Sequence, residues 1–580
     1  MLLFKYARYS NALRMVPSLW DLLAFIIIIT GLVLVVWGTR GMTVPYTGAE
    51  GIHLSLDPEN LPYYAMRTVL RMSYALILSL LFSFVYASFA AKSVRAERIM
   101  IPVLDVLQSV PILGFLSITV TGFMAMFPGN LLGVECAAIF AIFTSQAWNM
   151  TFSLYQSFIS VPKELTEVAT INRMSPWRRY WNLEVPFAVP QLLWNTMMSV
   201  SGGWFFVVAS EAITVSGETV MLPGIGSYIA MASKAESYTA IGYAILTMLV
   251  VIVLYDQLLF KPLFAWSDKF KAELTTDVKR PSSWMLTVIR RARVVGLLNW
   301  LVSLLTDSID SLFQYLRPRK LRLPNTVSKG LIYSAFYYAF IILCVFLLIY
   351  YSIQSYSSIF SKLSFDEVQH VTFLTFITMI RVIVLCALAS LIWVPIGIMI
   401  GLNRPLASRL QPIVQFMAAF PANLFFPIAV VLVLKYHLNH DVWLSPLMIL
   451  GTQWYILFNV IGGASALPYD FQEVATNLRV KGWAVWKKLY LPGIAPAYVT
   501  GLITAVGGSW NASIIAEYVS WGDTTLEAHG VGAYIAEATA AGDQPRILLG
   551  VVMLSIFVLV LNRLFWHRFY VYATNRYRLD

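Results

Sequence analysis

Twelve predominantly apolar runs, each about as long as a bilayer is thick, constrain this chain more than any other feature. A helical crossing needs about 20 apolar residues. Such runs lie at roughly 19–39, 66–91, 100–127, 131–157, 186–213, 239–262, 331–352, 374–401, 410–435, 442–466, 492–518 and 547–571. Only 12% of the 580 residues are charged and 58% are apolar, whereas soluble domains run near about 25% charged. A soluble enzyme, a disordered chain and a single-span receptor are excluded. The net charge of +11 raises nucleic acid as a partner, but aromatic residues set in apolar runs point to lipid, where basic loops fix orientation. With the N-terminus inside, 30 Lys and Arg fall in cytoplasmic segments and four outside, Arg40, Lys234, Lys362 and Arg546. Both termini are therefore expected in the cytoplasm. The first run follows Lys5, Arg8 and Arg14 without a small-residue cleavage site and reads as a retained anchor. Three cysteines inside apolar runs give no disulfide framework.

The chain is also a duplication. Thr68/Thr378, Arg71/Arg381 and Pro111/Pro421 match at an offset of 310, and the offset is 306 from Trp148/Trp454 onward. At 306 the matches include Glu167/Glu473, Ala169/Ala475, Trp177/Trp483, Pro186/Pro492, Trp204/Trp510, Glu211/Glu517, Gly224/Gly530 and Gly226/Gly532. One register held across such sparse residue types is an internal repeat. Residues 1–265 form the first repeat, 266–330 a basic linker and 331–580 the second. Six spans per repeat is an even number, so both repeats enter from the same side and are related by an axis along the membrane normal. The expected fold is an all-α, polytopic membrane protein with two parallel six-helix repeats and a pathway between them. The linker holds 12 Lys and Arg, and its Leu297–Leu305 run reads as an interfacial helix.

Between spans four and five, and again between ten and eleven, lies a loop too regular to be a turn. Pro162 and Pro468 pre-set a first helical turn. Leu165, Val168 and Ala169, and Phe471, Val474, Ala475 and Leu478, recur at helical spacing, so each loop reads as a short amphipathic helix. Glu167 and Ala169 followed by Val185-Pro186, and Glu473 and Ala475 followed by Leu491-Pro492, resemble the coupling loop of binding-protein-dependent ABC importer permeases. That family's pattern is Glu-Ala-Ala, a Gly four residues after the second Ala, then an apolar residue and Pro. Both copies depart alike: Val168 and Val474 replace the first Ala, and Arg173 and Arg479 stand at the Gly. The Trp204 to Glu211 spacing, repeated as Trp510 to Glu517, resembles the nitrate, sulfonate, taurine and bicarbonate branch. The resemblance implies a membrane permease of a bacterial or archaeal cytoplasmic membrane that carries a small anion. It implies two copies of an ABC ATPase docked on the two loops, through Glu167, Ala169, Arg173, Pro186, Glu473, Ala475, Arg479 and Pro492, and an extracytoplasmic substrate-binding protein. No Gly-Lys pair occurs, so the phosphate-cradling loop is absent. The chain is then no enzyme and holds no cofactor; ATP and Mg belong to the partner.

Ionisable groups at membrane depth are functional candidates. Arg71 and Arg381, with Glu211 and Glu517, form either a basic ring that attracts an anion or one structural Arg-Glu pair per repeat, and the cost of an unpaired buried charge favours the pair. Gln146, Trp148, Gln453, Trp454, Asn195 and Asn511 are candidate pathway-lining groups, with helix-to-helix bonding as the alternative. No constellation of metal ligands or catalytic nucleophile and base stands out; His437, His440 and Asp441 read as a solvated turn. A secondary transporter of the 6+6 kind remains the competing function.

The charge count makes a direct expectation about sidedness. A Cys placed at Ser55 or Asp523 should react with an impermeant thiol reagent added outside intact cells, and one at Ser175 should not. Equal labelling of both groups from the same side would refute the twelve-span topology.

Overall fold

Prolines and glycines decide where these apolar runs stay straight. A computed structural model of the chain describes residues 19–45, 54–215, 218–270, 283–292, 346, 350 and 363–576. The first repeat holds α1 (Leu19–Arg40), α2 (Leu61–Lys92), α3 (Val94–Ser109), α4 (Ile112–Met126), α5 (Leu132–Ile159), α6 (Lys163–Ile171) and α7 (Val185–Glu211). A ribbon of β1 (Ala212–Val215) and β2 (Glu218–Met221) follows, then α8 (Ile225–Lys234) and α9 (Tyr238–Tyr255). In the linker lies α10 (Trp284–Arg291). The second repeat holds α11 (Phe365–Leu402), α12 (Arg404–Ala419), α13 (Phe426–Lys435), α14 (Ser445–Leu450), α15 (Gln453–Ser465), α16 (Tyr469–Asn477) and α17 (Leu491–Ala516). It ends with β3 (Tyr518–Trp521), β4 (Thr524–Glu527), α18 (Val531–Ala541), α19 (Gln544–Leu561) and α20 (His567–Arg576).

Seven described helices are long and apolar enough to cross a membrane, and three bent pairs pass the same test together. The bent pairs correct the expected spans. The 100–127 run is α3 and α4 at 91° to each other, and the 410–435 run is α12 and the helix from Ala422 at 73°. Pro111 and Pro421 cause both breaks: each lacks an amide hydrogen and forces the residue before it, Val110 or Phe420, into extended backbone. The 442–466 run bends by 43° at Gly451 and Thr452, although its counterpart α5 is one 28-residue helix. The expected 331–352 span and the Leu297–Leu305 helix lie outside the described residues, apart from Phe346 and Tyr350. The described chain is overwhelmingly helical, as expected, and each repeat adds one short two-stranded antiparallel ribbon, β1 on β2 and β3 on β4.

The described residues group into two compact units, one within 1–34, 157–193 and 257–365, the other within 35–156, 194–256 and 366–580. In the first, Ala24 of α1 packs on Val288 and on Ala292 just past α10, and the Arg291 guanidinium sits 5.0 Å above the Trp20 ring. In the second, the two repeats exchange contacts. The Ile112 amide, which opens α4 after the proline break, donates to Asn511 Oδ1 of α17 at 2.7 Å. Gly114 lets α4 approach Val551 and Ile514. Reciprocally, Asn423 Nδ2 donates to the Phe205 carbonyl of α7 at 3.3 Å, and Gln415 Nε2 lies 2.6 Å from Met197 Sδ. The second ribbon also reaches the first repeat: the Gly522 amide donates to the Ser233 carbonyl at 2.9 Å, and Trp521 packs on Tyr238 with ring centroids 5.0 Å apart. Each repeat's broken helix thus leans on the other repeat's long helix.

Removing the Asn511 acceptor tests this cross-packing. Asn511→Ala leaves the Ile112 amide at the break unpaired, a cost of about 1–3 kcal/mol. The purified permease should unfold at a lower temperature in detergent, while Thr500→Ala, which removes only a bond to the preceding helical turn, should not shift it.

Candidate functional site

Helix α7 ends in a carboxylate that has no water to turn to. Glu211 is fully buried, and the chain leaves it as β1, returns as β2 and enters α8 through Pro223 and Gly224. That hairpin brings the N-terminus of α8 back onto the side chain. The Gly226 amide donates to Glu211 Oε2 at 2.7 Å, a favourable place for an anion because the first amides of a helix lack partners. Glu211 Oε1 accepts from Thr68 Oγ1 at 2.6 Å and Arg71 Nη1 at 2.7 Å. Thr68 in turn accepts from the Ile225 amide at 3.1 Å. Arg71 Nη1 also reaches the Pro223 carbonyl at 2.9 Å. The glycines are steric requirements: a Cβ at Gly224 would strike the Glu211 carboxylate, and one at Gly226 the Val208 carbonyl.

Arg71 has a second carboxylate, which the sequence reading did not single out. Its Nε and Nη2 donate to Glu135 of α5 at 2.6 and 2.8 Å, and Arg67 bonds the same carboxylate. All four groups are fully buried. Two guanidinium groups and two carboxylates sum to zero charge, which makes the quartet tolerable at low dielectric. The structure therefore brings together Arg71 and Glu211, and adds Arg67 and Glu135.

The second repeat rebuilds the site with substitutions. Thr378 Oγ1 and Arg381 Nη1 donate to Glu517 Oε1 at 2.9 and 3.1 Å, the Gly532 amide to Oε2 at 2.8 Å, and the Val531 amide to Thr378 at 3.1 Å. Asp441 stands at Glu135 plus 306 and accepts from Arg381 Nη2 at 2.8 Å. It is therefore no solvated turn residue, a correction to the sequence reading. Arg67 corresponds to Ile377, and in its place His529, the counterpart of Pro223, lies on Asp441 with Nδ1 3.0 Å from Oδ2. This copy is more open: Arg381 is 13% exposed where Arg71 is 0%. Its one arginine faces two carboxylates, so the cluster carries one net negative charge unless His529 is protonated. Near it, burial and a hydrogen bond donated to Glu367 push the Tyr534 phenol well above its ordinary range. Comparing acids rather than identical residues at offset 306 would have revealed Glu135 and Asp441.

The remaining candidates serve helix packing. Gln146 is buried, with Nε2 3.2 Å from Met72 Sδ. Trp148 meets Phe82 edge to face at 5.7 Å. Asn195 donates to Ser153 Oγ at 2.8 Å. Trp393 Nε1 donates to Gln453 Oε1 at 2.8 Å, and the same indole lies 5.0 Å from Trp454. Asn511 caps the Ile112 break. A cavity of about 70 Å³ lies at the contact of the repeats, walled by Gly202, Phe205, Phe420, Met448, Tyr455 and Gly508 among others. A Cβ at Gly202 would come within 2.8 Å of the Tyr455 hydroxyl.

In the chain α6 precedes α7 and α16 precedes α17, each nine residues long and opening after a proline. Both expose apolar side chains: Leu165, Val168 and Ile171 on one, Phe471, Val474 and Leu478 on the other. Ala169 is buried, Ala475 half-buried, and Glu167 and Glu473 are exposed. Both helices end alike. The Met174 amide bonds the Ala169 carbonyl and the Arg173 amide the Thr170 carbonyl, each at 3.0 Å; Val480 to Ala475 at 2.9 Å and Arg479 to Thr476 at 3.0 Å repeat the pattern. This double closure needs a left-handed residue after the cap, normally Gly. Arg173 takes it with φ 50° and Arg479 with φ 53°, at a cost of about 1–2 kcal/mol for each. Pro186 and Pro492 lie second in α7 and α17, after the widened turns Tyr180–Glu184 and Trp486–Tyr490, which accommodate their missing amide hydrogens.

Comparison with known proteins supplies the context. The family model described as binding-protein-dependent transport system inner membrane component matches twice, at residues 79–259 and 393–572. The chain is 32% identical over 177 residues to the bicarbonate transport system permease protein CmpB of Synechococcus elongatus. It is 27% identical over 177 residues to the nitrate import permease protein NrtB of Leptolyngbya laminosa. It is 25% identical over 176 residues to a putative ABC transporter permease protein of Methanocaldococcus jannaschii. Each alignment covers 30% of this chain, and the chain spans 60%, 60% and 62% of those relatives' lengths.

The two clusters should respond unequally to loss of an acid. Glu135→Gln leaves a buried guanidinium pair with one carboxylate, a cost of about 3–5 kcal/mol, and should abolish recovery of folded permease. Asp441→Asn, at a partly exposed site, should lower the unfolding temperature in detergent far less. Equal losses would refute the distinction.

Proposed function

Because the chain belongs to the binding-protein-dependent transport system inner membrane components and carries two copies of their domain, we propose that it is the fused two-half permease of an ATP-driven importer for a small anion. The observation that carries this reading is the pair of helices α6 and α16, which hold exposed apolar stripes at equivalent positions of the duplication. An amphipathic helix of this kind seats its apolar face in a partner's groove. Two equivalent surfaces suit a symmetric dimer, so each loop docks one copy of an ABC ATPase, which binds the ATP and Mg. In the orientation set by the basic loops, these helices face the cytoplasm and the ribbons face a substrate-binding protein outside.

The geometry supports a mechanism of levers. Residues Pro176–Glu211 and Trp483–Ala516 form continuous struts of 36 and 34 residues, about 50 Å long at 1.5 Å per residue. One end of each strut joins a coupling loop and the other is fastened by Glu211 or Glu517. Movement of the ATPases turns the struts, and the contact between the repeats opens to alternate sides. Arg71 and Arg381 are committed to carboxylates, so neither serves as a free binding cation for the anion. The relatives named for bicarbonate and nitrate import support a small anion as the cargo. A gradient-driven 6+6 transporter would have no use for two exposed docking helices.

Purification of the full chain from its own membranes should recover an ABC ATPase, and proteoliposomes of that complex should take up labelled bicarbonate or nitrate only with ATP. Glu167→Arg together with Glu473→Arg sets a cation on each docking helix, costing about 1–3 kcal/mol of association. The double variant should insert normally and lose its ATPase. Retention of the ATPase together with substrate-stimulated hydrolysis would refute the docking role.

A further inference from the structure

The chain places a cation, twice, at the one position of each docking helix where backbone geometry favours glycine. Arg173 and Arg479 close their helices in the left-handed region, with φ 50° and 53°. Both are exposed, and neither joins an ion pair among the described residues. Glu236 and His437 close α8 and α13 in the same left-handed region, so the conformation alone needs no partner; what sets Arg173 and Arg479 apart is that a cation recurs at the same place in both repeats. Other cations stand close by in relaxed backbone, Arg178 and Arg179 in one loop and Lys487 and Lys488 in the other. Arg179 is paired with Glu184, and a lipid surface, which accepts cations in any arrangement, gives no reason for this placement. A partner with a fixed acidic group does.

Charge in the second docking segment is polarised, with Asp470 and Glu473 preceding Arg479 and Lys481; in the first, Lys163 offsets one of the two acids, Glu164 and Glu167, that precede Arg173. The exposed apolar stripe lies between these ends. We propose that Arg173 and Arg479 each pair with a carboxylate at the rim of the ATPase groove that receives the helix, fixing the direction in which the helix lies. This inference rests on the importer reading and adds to it the chemistry of the partner's surface: an apolar groove with an acidic residue where the helix ends.

The experiment uses the full-length permease in nanodiscs of uncharged lipid, titrated with the ATPase recovered as above, over a range of salt concentrations. Arg173→Gly with Arg479→Gly relieves the backbone and removes the charges. Arg173→Asn with Arg479→Asn removes the charges with a side chain that tolerates the left-handed region. Both should fold at least as well as the wild type, judged by unfolding temperature. Both should bind the ATPase roughly fivefold to tenfold more weakly at low salt, as two lost rim ion pairs imply, with a flatter salt dependence. If both neutral variants bind like the wild type, the inference is overturned while the importer reading stands. The inference is also overturned if the Gly variant alone weakens, since loop flexibility would explain it. It is equally overturned if binding changes only when anionic lipid is added, since lipid would then be the contact. Failure of the wild-type chain to bind any ATPase would overturn the importer reading, and this inference with it.

Discussion

A buried carboxylate at the end of a long helix is the interaction on which the rest of each repeat depends. Glu211 joins three elements: α7, which carries it; α2, through Thr68 and Arg71; and α8, through the Gly226 amide. In hydrocarbon the hydrophobic effect does not draw helices together, so packing and polar bonds must do so. One carboxylate satisfied by two side chains and an amide is worth more there than any single apolar contact, because losing a partner strands a charge. The constraint also runs backward into the sequence. Gly224 and Gly226 are needed because the carboxylate and the Val208 carbonyl occupy the space that side chains would take.

The second repeat keeps this core and varies what surrounds it. Thr378, Arg381, Glu517 and the Gly532 amide repeat the bonds of their counterparts. The outer layer differs: Glu135 with two arginines becomes Asp441 with one arginine and a histidine. The long helix α5 becomes a bent pair at Gly451. When two halves share one chain, each meets only the other, so neither surface has to match itself. The reciprocal contacts bear this out chemically. An asparagine amide oxygen caps one proline break, whereas at the other break Asn423 donates to a carbonyl of the facing helix.

Most of the architecture was legible because it depends on features that repeat. Runs of apolar residues located the helices, and a fixed offset between identical rare residues located Arg71, Arg381, Glu211 and Glu517. Residues without an identical counterpart escaped: Arg67 aligns with Ile377, and Glu135 with an aspartate. The proline breaks were visible as Pro111 and Pro421, but hydropathy continues across them and suggested straight spans. The ribbons escaped for a different reason. Four-residue strands carry too little alternation to stand out beside helices of 26 and 27 residues, and their pairing is dictated by the need to return the chain to the carboxylate.

The two ends of each strut are built for opposite purposes, and this gives the proposed importer its mechanics. At the ribbon end a carboxylate, bonded to a threonine, an arginine and a helix terminus, pins one point of the strut. At the docking end the helix begins in a widened turn and carries two prolines within its first six residues, Pro186 and Pro190 in one repeat, Pro492 and Pro496 in the other. Each proline removes a backbone bond, so bending is easiest there. In the proposed importer, a strut free at its far end would simply be carried along by a displacement of α6 or α16. Fastened at Glu211 or Glu517, the strut instead tilts about the fastening, and the residues at the contact with the opposite repeat in its last third, Gly202 and Phe205 or Gly508 and Asn511, move with it. The placement of rigidity, more than the strength of any contact in the middle, decides that work done on the docking helices reaches the surface where the repeats meet.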